Sequence, residues 1–178
     1  MINKPIIIQA KTALLSEIYE LIHRTIEEIY TKYYSDEAVR FFLELHSKKN
    51  ILKDISDGKV YVVTLGRDVI GTGTLDGDHI KRLFVLPRFQ GQGIGTLIMD
   101  RFESEIIKNY GAAWLDSSLP AGKFYSSRGY VAKEYKEHKL ENDKVLAYEI
   151  MCRNNFPIDP NEYNAPSQLV RREMELQG

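Results

Sequence analysis

Between Pro87 and Thr96 a β-rich stretch gives way to the glycine-rich turn Gln90-Gly91-Gln92-Gly93-Ile94-Gly95, which runs directly into an amphipathic helix. Pro87 stops the preceding strand. The helix, about Gly93 to Tyr110, keeps Ile94, Leu97, Ile98, Phe102 and Ile106 on one face. The first amides of a helix lack intrahelical acceptors and lie at its positive pole, where a phosphate group is stabilised. Glycines at 91, 93 and 95 remove Cβ atoms that would hold a ligand off, and they tolerate unusual backbone angles. Each glycine inside a helix costs about 1 kcal/mol. Close approach of a ligand is the usual reason to accept that cost; a plain tight turn is the other reading of the loop by itself.

Two phosphate-binding motifs can be set against this loop. A dinucleotide fingerprint needs a glycine where Thr96 stands, and it follows the first strand of a parallel sheet rather than a meander. A Walker loop ends in Gly-Lys-Ser/Thr, whereas Gly95 is followed by Thr96-Leu97. Neither fits.

The flanking pattern fixes the setting. Pro5 to Ala10 reads as a strand, and Thr12 can cap a helix with Leu14, Leu15, Ile18, Leu21, Ile22, Ile26 and Ile29 at helical spacing. A second helix starts at Ser35, with Asp36 and Glu37 in its first turn and Val39, Phe42 and Leu43 along it; a shorter one spans Ile51 to Ser56 and ends near Gly58. Lys59 to Leu65 and Val69 to Leu75 flank Gly66-Arg67-Asp68 as a hairpin, and His79 to Leu86 follows the turn Asp76-Gly77-Asp78. After the long helix come a strand, Ala112 to Ser117, a short helix, Ala121 to Arg128, and two strands, about Val131 to Glu137 and Lys144 to Met151. The expectation is one mixed α/β domain.

Composition narrows the partners. The chain has 178 residues, enough for one substantial core, with 24 basic against 25 acidic side chains. That balance gives no electrostatic reason to expect nucleic acid or an anionic membrane. A single cysteine, Cys152, precludes an intrachain disulfide and suits a reducing compartment. Ile6-Ile7-Ile8 is too short for a signal-peptide core, and no stretch approaches a membrane span of about 18 apolar residues, so a cytoplasmic location is expected. Residues 1–152 are assigned to the domain. Residues 153–178, which contain Asn, Asp and three of the six prolines and then an amphipathic segment with Leu169, Val170 and Met174, form an extension. It is read either as a partly ordered tail or as an arm packing on the domain or on a second copy in a homodimer.

Leu83-Phe84-Val85-Leu86-Pro87 followed by Gln90-x-x-Gly93-x-Gly95 resembles motif A of the GNAT superfamily of acetyltransferases. Downstream, Ala121-x-x-Phe124-Tyr125-x-x-x-Gly129-Tyr130 resembles its motif B, and Gly71-Thr72-Gly73 on a strand after two helices fits the family's N-terminal half. The resemblance covers roughly Ile6 to Met151. It implies a GNAT-type α/β fold: a mixed, mostly antiparallel sheet of about six or seven strands flanked by about four helices. It also implies an N-acetyltransferase using acetyl-CoA as co-substrate, without a metal, and a small-molecule or peptide amine as acceptor.

By match of position, the amides of Gly91, Gln92, Gly93, Ile94, Gly95 and Thr96, with Gln90, are implied to hold the pyrophosphate. The backbone of Leu83, Phe84 and Val85 is implied to line the pantetheine arm, with the Val85 amide as oxyanion donor. Tyr125 matches the tyrosine that protonates the leaving thiolate; a phenol with a pKa near ~10 carries its proton at neutral pH. The sequence departs from the family at two places. Ser118 stands where many relatives have an asparagine that contacts the cofactor arm, and Ala113 where some have a glutamate base.

A base is therefore sought elsewhere. His79 is the first candidate, because histidine titrates near neutral pH; Asp116 and Asp78 follow. Each also reads as an ordinary strand-end or turn residue. Lys123 and Arg128 are candidates for phosphate contacts, or solvated helix residues. The acceptor side is expected among Glu27, Glu28, Tyr30, Tyr33 and Tyr34 of the first helices and the late strands. A fold of this kind that binds acetyl-CoA as a sensor without turnover is the alternative, kept open by Ala113.

Overall fold

In the computed structural model, residues 4–154 are described. They form strands β1 (Ile6–Gln9), β2 (Val60–Leu65), β3 (Asp68–Asp76), β4 (His79–Val85), β5 (Ala112–Ser118), β6 (Val131–Lys139) and β7 (Val145–Asn154). Helices α1 (Leu15–Ile29), α2 (Asp36–Leu45), α3 (Lys48–Ser56) and α4 (Ile94–Asn109) are joined by a six-residue α5 (Gly122–Ser127). The strands make one sheet of order β1-β2-β3-β4-β5-β7-β6, antiparallel throughout except for β4 beside β5. The mixed α/β expectation holds. The first two residues of the assigned extension, Arg153 and Asn154, complete β7 and so belong to the sheet; the rest, with Leu169, Val170 and Met174, lies outside the described residues.

Central strands alternate between two cores, so both faces of the sheet are buried. Val62, Trp114, Ile150 and Cys152 join the core built with Ile18, Ile22 and Ile26 of α1 and with α2 and α3. Their neighbours Val63, Ala113, Leu115 and Met151 face Ile98, Met99 and Phe102 of α4. Gly71 and Gly73 let α4 lie directly on β3. A Cβ at Gly73 would stand 2.8 Å from both Ile98 Cγ2 and Phe102 Cε2, and one at Gly71 would stand 2.8 Å from Ile94 Cγ2.

Helix starts follow local chemistry with two corrections. Ser35 caps α2, its Oγ accepting from the Ala38 amide at 3.4 Å. Ser47 does the same for α3 through Asn50, so that helix begins a turn earlier than its apolar residues indicate. Thr12 caps nothing. It opens a 3-10 turn, Thr12–Leu14, and α1 begins behind Leu14 with no side-chain cap.

The feature that creates a site is the divergence of β4 from β5. They pair only at His79↔Trp114 and Ile80↔Leu115. Beyond that point β5 stays with β7 over its whole length, Ala112 to Ser118. On the other side β4 carries a bulge, three residue steps from Lys81 to Phe84 facing two from Thr74 to Thr72 on β3. Arg82, at the bulge, has φ 49°. Its guanidinium is held by Asp54 of α3, and its Nε donates to His46 Nδ1 at 3.2 Å. The bulge and this buried anchor carry β4 away from β5.

Candidate active site

The opening between the diverging strands divides into two chambers that share Tyr30, Leu83, Phe84, Ser118, Ala121 and Tyr125. The chamber on the α4 side, about 420 Å³, reaches the glycine loop at Gly91, Gly93 and Gly95; ligand clefts generally span about 300–1,000 Å³.

The loop is shaped for an anion. Gly91 and Gly93 have φ 73° and 81°, backbone that L side chains rarely adopt. A Cβ at either would meet no heavy atom within 4 Å, so their open side faces a space the protein leaves clear. Gly93 is the N-cap of the 16-residue α4, and the first helical bond runs from the Leu97 amide to the Gly93 carbonyl at 2.9 Å. The amides of Ile94, Gly95 and Thr96 precede that bond at the positive end of the helix. Only Gly95 lies within the helix, so the propensity cost inferred for three helical glycines falls on one. Its Cβ direction is filled by the Phe124 ring, 3.3 Å away. Two glutamines hold the loop from beneath: Gln90 Nε2 donates to the Val85 carbonyl at 3.0 Å, and Gln92 Nε2 to the Arg88 carbonyl at 2.9 Å.

The strand edge beside the loop is also arranged for a ligand. The Leu86 amide donates to Ile70 of β3 at 3.0 Å. Successive strand amides point to opposite edges, so those of Val85 and Leu83 face the side that β5 has left. Tyr125 comes from α5, is buried, and lines both chambers. Burial, with a smaller contribution from Tyr30, raises its pKa above the ordinary phenol value. Ser118 ends β5; its Oγ lies 3.0 Å from the Tyr30 hydroxyl, whose own pKa burial also raises.

The second chamber lies on the helix side, between α2, β4 and β7. Phe41, Phe42, Phe84, Leu146 and Tyr148 supply its apolar walls. His79 and Asp116 are its polar residues nearest the last paired rungs of β4 and β5. His79 Nε2 lies 3.3 Å from Asp116 Oδ2, within ion-pair range but without the alignment of a hydrogen bond. His79 is only 4% exposed, so it is not a solvated strand end. Asp116 Oδ1 is buried without a hydrogen-bond partner.

Other candidates fall elsewhere. Arg128 is not a phosphate ligand here: its guanidinium is occupied by Asp100 at 2.6 Å and by Glu103 at 3.1 and 2.8 Å, tying α5 to α4. Lys123 is exposed on α5. Glu27, Glu28 and Tyr33 are exposed and line neither chamber, because they sit on the outer side of α1 and in the turn after it. Tyr34 is a brace, accepting from the Leu119 amide at 2.7 Å and donating to the Ala147 carbonyl at 3.3 Å. Asp78 holds the β5 start, its carbonyl accepting from the Trp114 amide. Ala113 is buried in the α4 core, where no base could act. Phe41 and Tyr148 escaped sequence reasoning; they are over a hundred positions apart, and only the adjacent pair Phe41-Phe42 hinted at an aromatic wall.

Among solved structures the fold has many counterparts. It matches a GCN5-related N-acetyltransferase from Rhodopseudomonas palustris with TM-score 0.77 and 24% identity, over 86% of this chain and 98% of that one. PaiA N-acetyltransferase from Thermoplasma acidophilum, determined in complex with coenzyme A, matches with TM-score 0.62 and 17% identity over 85% and 99% of the two chains. The ribosomal-protein-S18-alanine N-acetyltransferase from Escherichia coli matches with TM-score 0.64 and 16% identity over 90% and 99%. No match was found among curated proteins. The family model described as "Acetyltransferase (GNAT) domain" matches residues 30–148, two thirds of the chain and both chambers' shared residues. With that match, the divergent strands and the glycine loop, the chain belongs to the GNAT acetyltransferase family.

Proposed function

We propose that this protein transfers an acetyl group from acetyl-CoA directly to a primary amine, with Tyr125 as general acid. The observation that carries the reading is the position of Tyr125 at the junction of the two chambers, beside the free edge of β4. The loop amides from Gly91 to Thr96 suit the pyrophosphate, and the free edge at Leu83 and Val85 suits the extended arm.

In the transfer, the amine nitrogen bonds to the thioester carbonyl carbon and the carbon–sulfur bond breaks. The Val85 amide is assigned as the donor to the oxygen that gains charge. Tyr125 gives its proton to the departing sulfur. Burial keeps the phenol protonated at neutral pH, and the same burial penalises a bare thiolate in the cleft and favours its protonation. His79, supported by Asp116, is the group assigned to take the proton lost by the amine, directly or through water. It fills the role that Ala113 cannot. Soluble assays in a reducing buffer suit the cytoplasmic location that belongs to this reading.

The test combines calorimetry of acetyl-CoA binding with thiol release over an amine panel. Binding with release of free CoA supports the proposal. Binding without release for any amine supports the sensor, and absence of binding removes both.

A further inference from the structure

The chamber under Phe41 and Phe42 is small, apolar and closed at one end by a carboxylate. Its volume is about 140 Å³, close to the ~150 Å³ cavity that accepts one benzene molecule. Aromatic faces surround it: the rings of Tyr30 and Phe42 meet edge-on at 4.8 Å, and those of Tyr30 and Phe84 lie 6.1 Å apart. Such walls attract apolar groups and tolerate an ammonium.

The chamber's charges are one-sided. Lys81 and Arg82 are its cations, and both are engaged. Lys81 Nζ lies 2.9 Å from Asp76 Oδ2, and Arg82 is paired with buried Asp54. A substrate carboxylate would have to displace one of these pairs or stay unpaired in an apolar pocket, which is expensive. Asp116 offers the opposite: among the described residues its buried Oδ1 has no hydrogen-bond partner, and neither has Nε2 of His79, a residue only 4% exposed. Both line the chamber and suit a donor or cation.

We infer that the acceptor is a primary amine joined by a short alkyl chain to a single aromatic ring, with no carboxylate. This rests on the acetyltransferase reading above and adds the acceptor's chemistry to it. Phe41, half-buried at the chamber wall, limits the ring size, and Asp116 supplies the partner for the ammonium before it loses its proton.

The experiment measures thiol release with 2-phenylethylamine, phenylalanine, spermidine and a peptide with N-terminal phenylalanine, alongside calorimetric acetyl-CoA binding. Expected is a kcat/KM for 2-phenylethylamine about 100-fold above that for phenylalanine, as an unpaired buried carboxylate predicts. In Asp116→Asn the KM for the amine should rise at least about tenfold while acetyl-CoA affinity holds. Phe41→Ala should shift the preference toward 2-(1-naphthyl)ethylamine. Turnover of phenylalanine, spermidine or the peptide at an equal or higher rate overturns the inference, as does acetyl-CoA binding with no turnover of 2-phenylethylamine. An unchanged size preference in Phe41→Ala also counts against it. Loss of acetyl-CoA binding itself strikes the acetyltransferase reading instead.

Discussion

Gly95 lies against Phe124: a methyl group at Gly95 would stand 3.3 Å from the Cζ of that ring. The contact joins the start of α4 to α5 and sets the width of the cleft between loop and Tyr125. Gly95 has no positive φ, so alanine suits its backbone and gains up to about 1 kcal/mol of helix propensity, against a small shift of the ring. Gly95→Ala should therefore leave unfolding stability within about 1 kcal/mol and CoA affinity within about threefold. Thermal unfolding with and without CoA checks both; a large affinity loss would mean that Phe124 cannot move.

Gly93 should behave oppositely. Its φ of 81° penalises any L side chain, by about 1–2 kcal/mol. The protein offers no clash within 4 Å, so a steric effect on ligand reports the ligand itself. Gly93→Ala should lower stability by that amount and weaken CoA at least about tenfold, and Gly93→Val should abolish binding. Full affinity in Gly93→Ala would take the pyrophosphate off this loop.

Removal of the Tyr125 hydroxyl tests the general acid. Tyr125→Phe should reduce kcat by roughly 10²–10⁴ while the Kd for acetyl-CoA changes little. The ring stays, so packing against Tyr130, 5.9 Å away between centroids, is kept. A kcat unchanged in single-turnover measurements would remove Tyr125 from the mechanism.

Acid should destabilise the fold through His46. Burial first, then the charges of Arg82 and His23, hold its pKa well below 6.5. Its Nδ1 accepts from Arg82 Nε, which requires the neutral ring. Below about pH 6.5 the unfolded chain takes up a proton that the folded one does not, so stability falls as pH falls toward the depressed native pKa. One such group gives a slope approaching about 1 kcal/mol per pH unit. Urea unfolding at pH 7 and 5.5 should show this loss reduced in His46→Gln. Equal losses in both proteins would assign the acid sensitivity elsewhere.

Glu103 on α4 is 5% exposed and receives Arg128 of α5 and, at 2.6 Å, Arg153 of β7. Neutralising it leaves two guanidinium groups facing an amide. Glu103→Gln should cost about 2–3 kcal/mol, short of a fully buried pair because both arginines are partly solvated. Chemical denaturation measures it, and a change below about 0.5 kcal/mol would reduce the network to surface charge.

The family was legible in the sequence, and so was the loop proposed for the donor, because a helix N-terminus depends on backbone geometry encoded locally. A strand stopped by Pro87, glycines at 91 and 93 with positive φ, and an apolar stripe from Ile94 to Ile106 specify a helix N-terminus with free amides whatever surrounds it. Tyr125 was singled out by the resemblance of Phe124-Tyr125-x-x-x-Gly129-Tyr130 to motif B, and it is buried in the wall of both chambers. Local patterning misplaced the start of α1, which Thr12 does not cap, the start of α3, which Ser47 caps a turn earlier, and the ends of β6 and β7.

The side proposed for the acceptor was decided by tertiary structure. His79 and Asp116 are 37 positions apart and meet only because β4 and β5 pair at their first rungs before parting. Arg128 looked available for phosphate until α5 packed on α4 and gave it Glu103 and Asp100. Glu27 and Tyr33 read equally as an amine site or as helix surface, and they are exposed on the outer side of α1 and in the turn after it, whereas Phe41, Phe42 and Tyr148, from distant segments, closed around the same 140 Å³. Local geometry follows from neighbouring residues and is written in their order. Which side chains share a pocket depends on how strands diverge and helices dock, and no local pattern records that.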